Sequence, residues 1–153
     1  MILWIILSIG IILIDQFTKL WVVGNIGPQD TITILPRILD FVYVENKGAA
    51  FSFLANKTYG TIILSVISVL FCVGVIFYMV KFKPQNKLLL CAVSMMLGGA
   101  IGNVIDRIIR GFVVDFIEVK FISFPVFNVA DIAITVGAAL MVIWVCFFDK
   151  EKE

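Results

Sequence analysis

The chain contains no histidine. That single absence removes Ser-His-Asp and Cys-His catalysis, HExxH zinc sites and histidine proton relays. Charge is also scarce. Only 15% of the 153 residues are Asp, Glu, Lys or Arg, where a soluble domain carries about 25%. Twelve basic and eleven acidic side chains leave a formal charge of +1, so there is no basic field for nucleic acid. The cysteines are three, Cys72, Cys91 and Cys146, each inside an apolar run and without CxxC or zinc-like spacing. They read as small buried hydrophobes, with no redox or metal role, and the residue set calls for no cofactor.

What is abundant is apolar. Hydrophobic residues make up 61% of the chain and the mean hydropathy is +1.10. So little polar surface cannot coat a globule of this size, and the composition is the opposite of a disordered chain. The expected class is an all-α polytopic membrane protein.

A helix needs ~20 apolar residues to cross the hydrocarbon. Four windows qualify: Ile2–Val23, Tyr59–Val80, Leu88–Ile109 and Phe127–Phe148. The first has no basic n-region and no small-residue cleavage site, so it reads as a retained signal anchor. Four spans put both termini on one side, and the segments 24–58 and 110–126 on the other. The whole chain, 1–153, is then expected to be one membrane-embedded domain. Lys81, Lys83 and Lys87, three lysines in seven residues, accompany the termini and favour a cytoplasmic location for them. The total basic count on the two sides is nearly balanced. The 24–58 segment alternates at Thr31-Ile32-Thr33-Ile34 and is rich in strand formers from Phe41 to Glu45, with Pro36 between them and a turn signal at Asn46-Lys47-Gly48. It is expected to form a small extended or β cap at the membrane surface. The aromatic stretch Phe112–Phe124 is expected to lie at the interface.

Ionisable residues within a span are expensive, about 2.5–3.5 kcal/mol each at mid-bilayer on insertion scales. Asp15, Thr18 and Lys19 fall in the second half of span one. Asn103, Asp106, Arg107 and Arg110 end span three, Asp115 follows, and Asn128 and Asp131 open span four. Spans one and three run the same way and span four runs back, so all these groups reach one membrane face. Each set is spaced at i, i+3, i+4 or i, i+3, hence on one helix face. Three polar faces at one level can line one cavity. Local neutralisation of Asp15 by Lys19, and of Asp106 by Arg107 and Arg110, explains those residues equally well. The Gly98–Gly102 spacing reads as close helix packing, and Trp4, Trp21 and Trp144 as interfacial anchors.

Asp115 and Asp131 have no Lys or Arg three or four residues away. Two carboxylates about 4 Å apart at an effective dielectric of ~20 repel by roughly 4 kcal/mol, so such a pair shares one proton and titrates as a unit. The ionised member can take a proton from water, while the protonated member polarises a scissile carbonyl. Asp106 stands as the alternative partner of Asp131.

Five ordered motifs then resemble a known family. Asp15-Gln16-Phe17-Thr18-Lys19 is similar to its DxxTK motif, and Asn46-Lys47-Gly48-Ala49-Ala50-Phe51 to NxGxAF. Gly98 to Arg107 resembles GGxxGNxxDR, Gly111 to Phe116 resembles GxVVDF, and Phe127 to Asp131 resembles FNxAD. Together they resemble the bacterial lipoprotein signal peptidase, or signal peptidase II, family over nearly the whole chain. The resemblance implies an intramembrane aspartic endopeptidase of the bacterial cytoplasmic membrane, termini cytoplasmic and site extracytoplasmic. It would cut prolipoproteins before a cysteine that carries diacylglyceryl, and globomycin-type antibiotics and membrane lipids would be further ligands. The resemblance places the catalytic pair on Asp115 and Asp131. Asn46, Gly48, Asn103, Arg107 and Asn128 fall in or beside the substrate cleft, and Asp15, Lys19 and Asp106 support it. The rival readings are a small proton-coupled transporter or channel, against which the one-sided clustering of charge argues, and a membrane scaffold. The GxGD motif of other intramembrane aspartyl proteases is absent.

Overall fold

A computed structural model describes residues 2–48 and 60–148. Ala49 to Phe51 of the second motif, Lys57 and the C-terminal lysines lie outside the described residues. Four helices, α1 (Ile2–Asn25), α2 (Gly60–Phe82), α3 (Lys87–Arg110) and α4 (Val129–Phe147), are each long and apolar enough to cross a membrane. At about 1.5 Å per residue they reach roughly 28–36 Å, against a hydrocarbon thickness of about 30 Å.

The central helix is α3. More than half of its apolar window is buried (56%), against 17% for α1 and α4 and 6% for α2. Small residues allow this. A Cβ built on Gly98 would stand 2.9 Å from the Ser8 carbonyl oxygen of α1, and one on Gly102 would stand 2.6 Å from Asp15 Oδ2. Gly99 abuts the Ala130 backbone of α4 instead. The glycines therefore serve two interfaces, which is what close approach in lipid requires. Most of the exposed large hydrophobics lie on α1, α2 and α4, the outward surface expected of a bundle whose solvent is lipid. Cys72 is buried and Cys91 half-buried, but Cys146 is exposed on that outward surface. The expectation of three buried thiols fails there, because an apolar run in a membrane helix has an outer face as well as an inner one.

Helix ends follow local rules. The Asn86 side chain accepts from the Leu88 and Leu89 N–H groups to start α3. Gly111, at φ 81, ends it with its N–H on the Arg107 carbonyl. Asn128 and Asp131 form a reciprocal capping box at the start of α4.

The cap is a three-stranded antiparallel sheet in the order β1 (Thr31–Leu35), β2 (Leu39–Asn46), β3 (Val113–Val119). Pro36 sits in the β1–β2 turn, which the Ile38 N–H closes on the Leu35 carbonyl with Arg37 at φ 64. The aromatic stretch after α3 is not a loop throughout. Its first half is a strand paired to β2, with Val44 opposite Asp115 and Asn46 opposite Val113. A core of Val22 from α1 and Ile26 just beyond it, with Val114 and Phe116 from β3, pins the sheet to the bundle. Side chains alternate along a strand. With Val114 and Phe116 turned into this core, Asp115 between them is turned to the other face.

Candidate active site

The ammonium of Lys19 is completely buried, as are Asp15 and Asp106. Lys19 Nζ lies 2.9 Å from Asp15 Oδ2 and 3.0 Å from Asp106 Oδ2, and donates to Asn103 Oδ1 at 2.9 Å. Its three N–H donors are all used. Each carboxylate also ties in another element. Asp15 Oδ1 accepts from the Ala130 N–H in the first turn of α4 (2.9 Å), and Asp106 Oδ2 also accepts from the Val114 N–H of β3 (3.1 Å). Gln16 Nε2 donates to Asp15, Asp106 and the Gly102 carbonyl. The cluster fastens α1, α3, α4 and β3 together. Among the described residues no buried side-chain polar atom lacks a partner, the condition under which buried ions are tolerated.

This refines several expectations. Lys19 bridges carboxylates of two helices and does more than neutralise Asp15 locally. Asp106 is held by Lys19, with Arg110 Nε a looser neighbour at 3.4 Å. Thr18 does not face a cavity, because its hydroxyl donates to the Ile14 and Asp15 carbonyls of its own helix. Gln16, which stands in the sequence only as an interruption of an apolar run, is a connector. Its adjacency to Asp15 was the available signal.

Beside the clamp lies a cleft of about 1120 Å³ between β2, β3, α3 and α4. Asp115 and Asp131 both line it, with Asn46, Gly48, Asn103 and Arg107. Asn128 is wholly buried behind them. Asp15, Lys19 and Asp106 are not among its lining residues. The cleft thus brings together the two aspartates and four of the five residues expected around them.

Three asparagine amides orient the carboxylates, and each amide has its polarity set elsewhere. Asn46 Oδ1 accepts from the Gly48 N–H (2.9 Å), so Nδ2 turns to Asp115 Oδ2 (2.8 Å). Asn103 Oδ1 accepts from Lys19 and from Asn128, so Nδ2 turns to Asp131 Oδ1 (2.9 Å). Asn128 Oδ1 accepts from the Asp131 N–H (2.9 Å), so Nδ2 turns to Asp115 Oδ1 (2.6 Å). The Asn128 N–H donates in turn to Asp131 Oδ2 (3.2 Å). An amide with its oxygen already engaged by a donor can offer only N–H groups to its other neighbour.

The two carboxylates differ in setting. Asp115 is 2% exposed, in mid-strand. Burial pushes its pKa up from 3.8 to about 6, and the Asp131 charge adds to this. The Asn46 and Asn128 amides and the Lys19 charge oppose the rise. Asp131 is half-buried at the third position of α4, where the helix N-terminus favours an anion. Neither aspartate enters an ion pair among the described residues. Arg107 lines the same cleft, half-exposed, and likewise makes no ion pair among them; its nearest fixed acceptor is the Asn103 carbonyl at 3.5 Å. The arrangement offers two carboxyl groups in unequal settings, with the Arg107 guanidinium lining the same cleft.

The chain matches a protein-family model described as signal peptidase (SPase) II over residues 7–147. It is 40% identical to the lipoprotein signal peptidase of Latilactobacillus sakei subsp. sakei over 152 residues, 99% of this chain and 97% of the relative. It is 34% identical to that of Clostridium acetobutylicum, over 97% and 96% of the two chains. It is also similar to a solved structure described as a bacterial membrane enzyme, with a TM-score of 0.87 and 30% identity over 98% of this chain and 93% of the other. By sequence along nearly its full length, and by fold, the chain belongs to the signal peptidase II family and is a multi-pass membrane peptidase.

Proposed function

We propose that this peptidase is aspartic, that Asp115 and Asp131 are its catalytic pair, and that it removes signal peptides from diacylglyceryl-modified prolipoproteins, cutting before the lipid-bearing cysteine. The observation that carries the reading is the pair of unequal carboxyl groups in one cleft, each held by amide donors and free of cations at contact distance. Asp131, at a helix N-terminus, is the ionised member and takes a proton from water. Asp115, whose burial favours the protonated form, donates to the scissile carbonyl oxygen. Water adds to the carbonyl carbon, and the tetrahedral species collapses as a proton passes to the departing amine. Asn46, Asn103 and Asn128 position the two carboxylates, and Arg107 meets carbonyl oxygens of the substrate. Gly48 supplies the N–H that orients Asn46. Asp15, Lys19 and Asp106 hold together the helices and the strand β3 that carry and flank the pair.

A lipid-bearing substrate has its bond at the membrane surface, and the cleft opens at one end of the spans. In this reading the chain is a single membrane-embedded domain in the bacterial cytoplasmic membrane, with cytoplasmic termini and an extracytoplasmic cleft. Substrates are prolipoproteins, and globomycin-type compounds fill the cleft and inhibit. The test is purified protein in detergent with a diacylglyceryl-modified prolipoprotein. Asp115→Asn and Asp131→Asn each abolish cleavage while remaining folded. Cleavage by Asp115→Asn together with an inactive, folded Asp106→Asn would move the pair to Asp106 and Asp131.

A further inference from the structure

Of the large apolar side chains exposed outside the helices, six gather at one end of the sheet: Ile34 (43%), Leu35 (50%), Ile38 (50%), Phe121 (67%), Ile122 (51%) and Phe124 (52%). Length of span does not account for them. They belong to two neighbouring stretches, the end of β1 with the β1–β2 turn and the segment after β3. Those stretches adjoin, since the Lys120 N–H donates to the Ile38 carbonyl (3.0 Å) and Leu39 pairs with Val119. The result is an apolar lip of neighbouring residues, denser than the scattered single hydrophobics a water-facing surface carries.

Three further observations say what covers it. Trp21, at the end of α1, meets Phe41 of β2 edge to face at 6.5 Å. Aromatic residues near a helix end mark the headgroup level, so the sheet lies at that level and its end is within reach of acyl chains. Arg37, exposed at the turn between Leu35 and Ile38, makes no ion pair among the described residues, which suits a phosphate headgroup. Phe124 belongs both to the lip and to the wall of the cleft that holds Asp115 and Asp131, so the lip is continuous with the site.

We infer that this lip is a lipid-contact surface, immersed in the leaflet at that end of the bundle, over which the acyl chains of the substrate pass into the cleft without crossing water. Immersion stands on the lip's own geometry; the passage of substrate rests on the function proposed above. The test begins with single cysteines at Phe121, Ile122 and Leu35 in a protein with Cys72, Cys91 and Cys146 replaced. Each is spin-labelled and reconstituted in phosphatidylglycerol–phosphatidylethanolamine bilayers. Labels at the lip collide with oxygen in preference to a water-soluble nickel chelate, as a label at Val66 in α2 does. Accessibility matching that of a label at Asp30, exposed just before β1, overturns the proposal. So does dipolar broadening between molecules, which would make the occupant a second copy. The kinetic arm is Phe121→Ser with Ile122→Ser, for which KM toward a bilayer-embedded diacylglyceryl substrate rises about tenfold with kcat unchanged. An unchanged KM with immersed labels removes the passage and keeps the contact. Failure of the unaltered protein to cleave counts against the proposed function, while the labels still decide the lip.

Discussion

Asp115→Asn tests the electrostatics of the site independently of catalysis. In the folded chain the Asp115 carboxyl titrates at about 6, against 3.8 for the free group. A raised folded pKa means that the native state holds a proton which the unfolded state releases. The associated stability is therefore complete below about pH 3.8 and is lost as pH rises through about 6. At 1.36 kcal/mol per pH unit, the rise amounts to about 3 kcal/mol. For a chain of this size, 1 kcal/mol moves Tm by about 2–4 °C, so the loss corresponds to roughly 6–12 °C. Asparagine cannot ionise, so Asp115→Asn abolishes the effect, whatever constant offset it adds by changing the contact with Asn46. The assay is thermal unfolding of both proteins in one detergent from pH 4 to pH 8, followed by intrinsic fluorescence. The difference in Tm, unaltered protein minus variant, falls by that amount across the window. A flat difference would mean that the asparagine amides fully offset burial. A rise with pH would mean that they overcompensate, and the assignment of Asp115 as proton carrier would fail.

The same assignment sets the pH profile of cleavage: kcat/KM declines as pH rises through about 6, and a profile still climbing from pH 6 to pH 8 contradicts it. Lys19→Met leaves Asp15 and Asp106 buried without their cation, and lowers stability by about 3–5 kcal/mol in urea or thermal unfolding; an unchanged Tm would show that the clamp is not structural. Gly98→Val drives a side chain into the Ser8 carbonyl of α1 and destabilises by about 1–3 kcal/mol, whereas Gly74→Ala on α2, with nothing within 4 Å of its Cβ, is neutral in the same thermal scan. Asn46→Ala removes one amide donor from Asp115, so the upper limb of the pH profile moves to higher pH, and a limb that stays in place would exclude Asn46 as its partner.

Local order was written plainly in the residues. Runs of apolar side chains gave four spans because each helix satisfies its own backbone, and lipid rewards nothing else. Asn86, Gly111 and the Asn128–Asp131 box end or begin helices by contacts within four residues. The polar faces of spans one, three and four were likewise visible, since 3.6 residues per turn fixes who shares a side. What a residue touches across elements was not visible. Lys19 had Asp15 as its evident partner at i+4, yet only packing of α1 on α3 at Gly98 and Gly102 brings Asp106 and Asn103 to it. The Phe112–Phe124 stretch was visibly aromatic, but its pairing to β2 depends on the core beneath Val114 and Phe116. The direction of three asparagine amides, and the burial that sets Asp115 apart from Asp131, are properties of the assembled site. Chain composition and period determined which groups would be driven out of water together; the tertiary contacts decided which carboxylates would be met by a cation and which by amide donors alone.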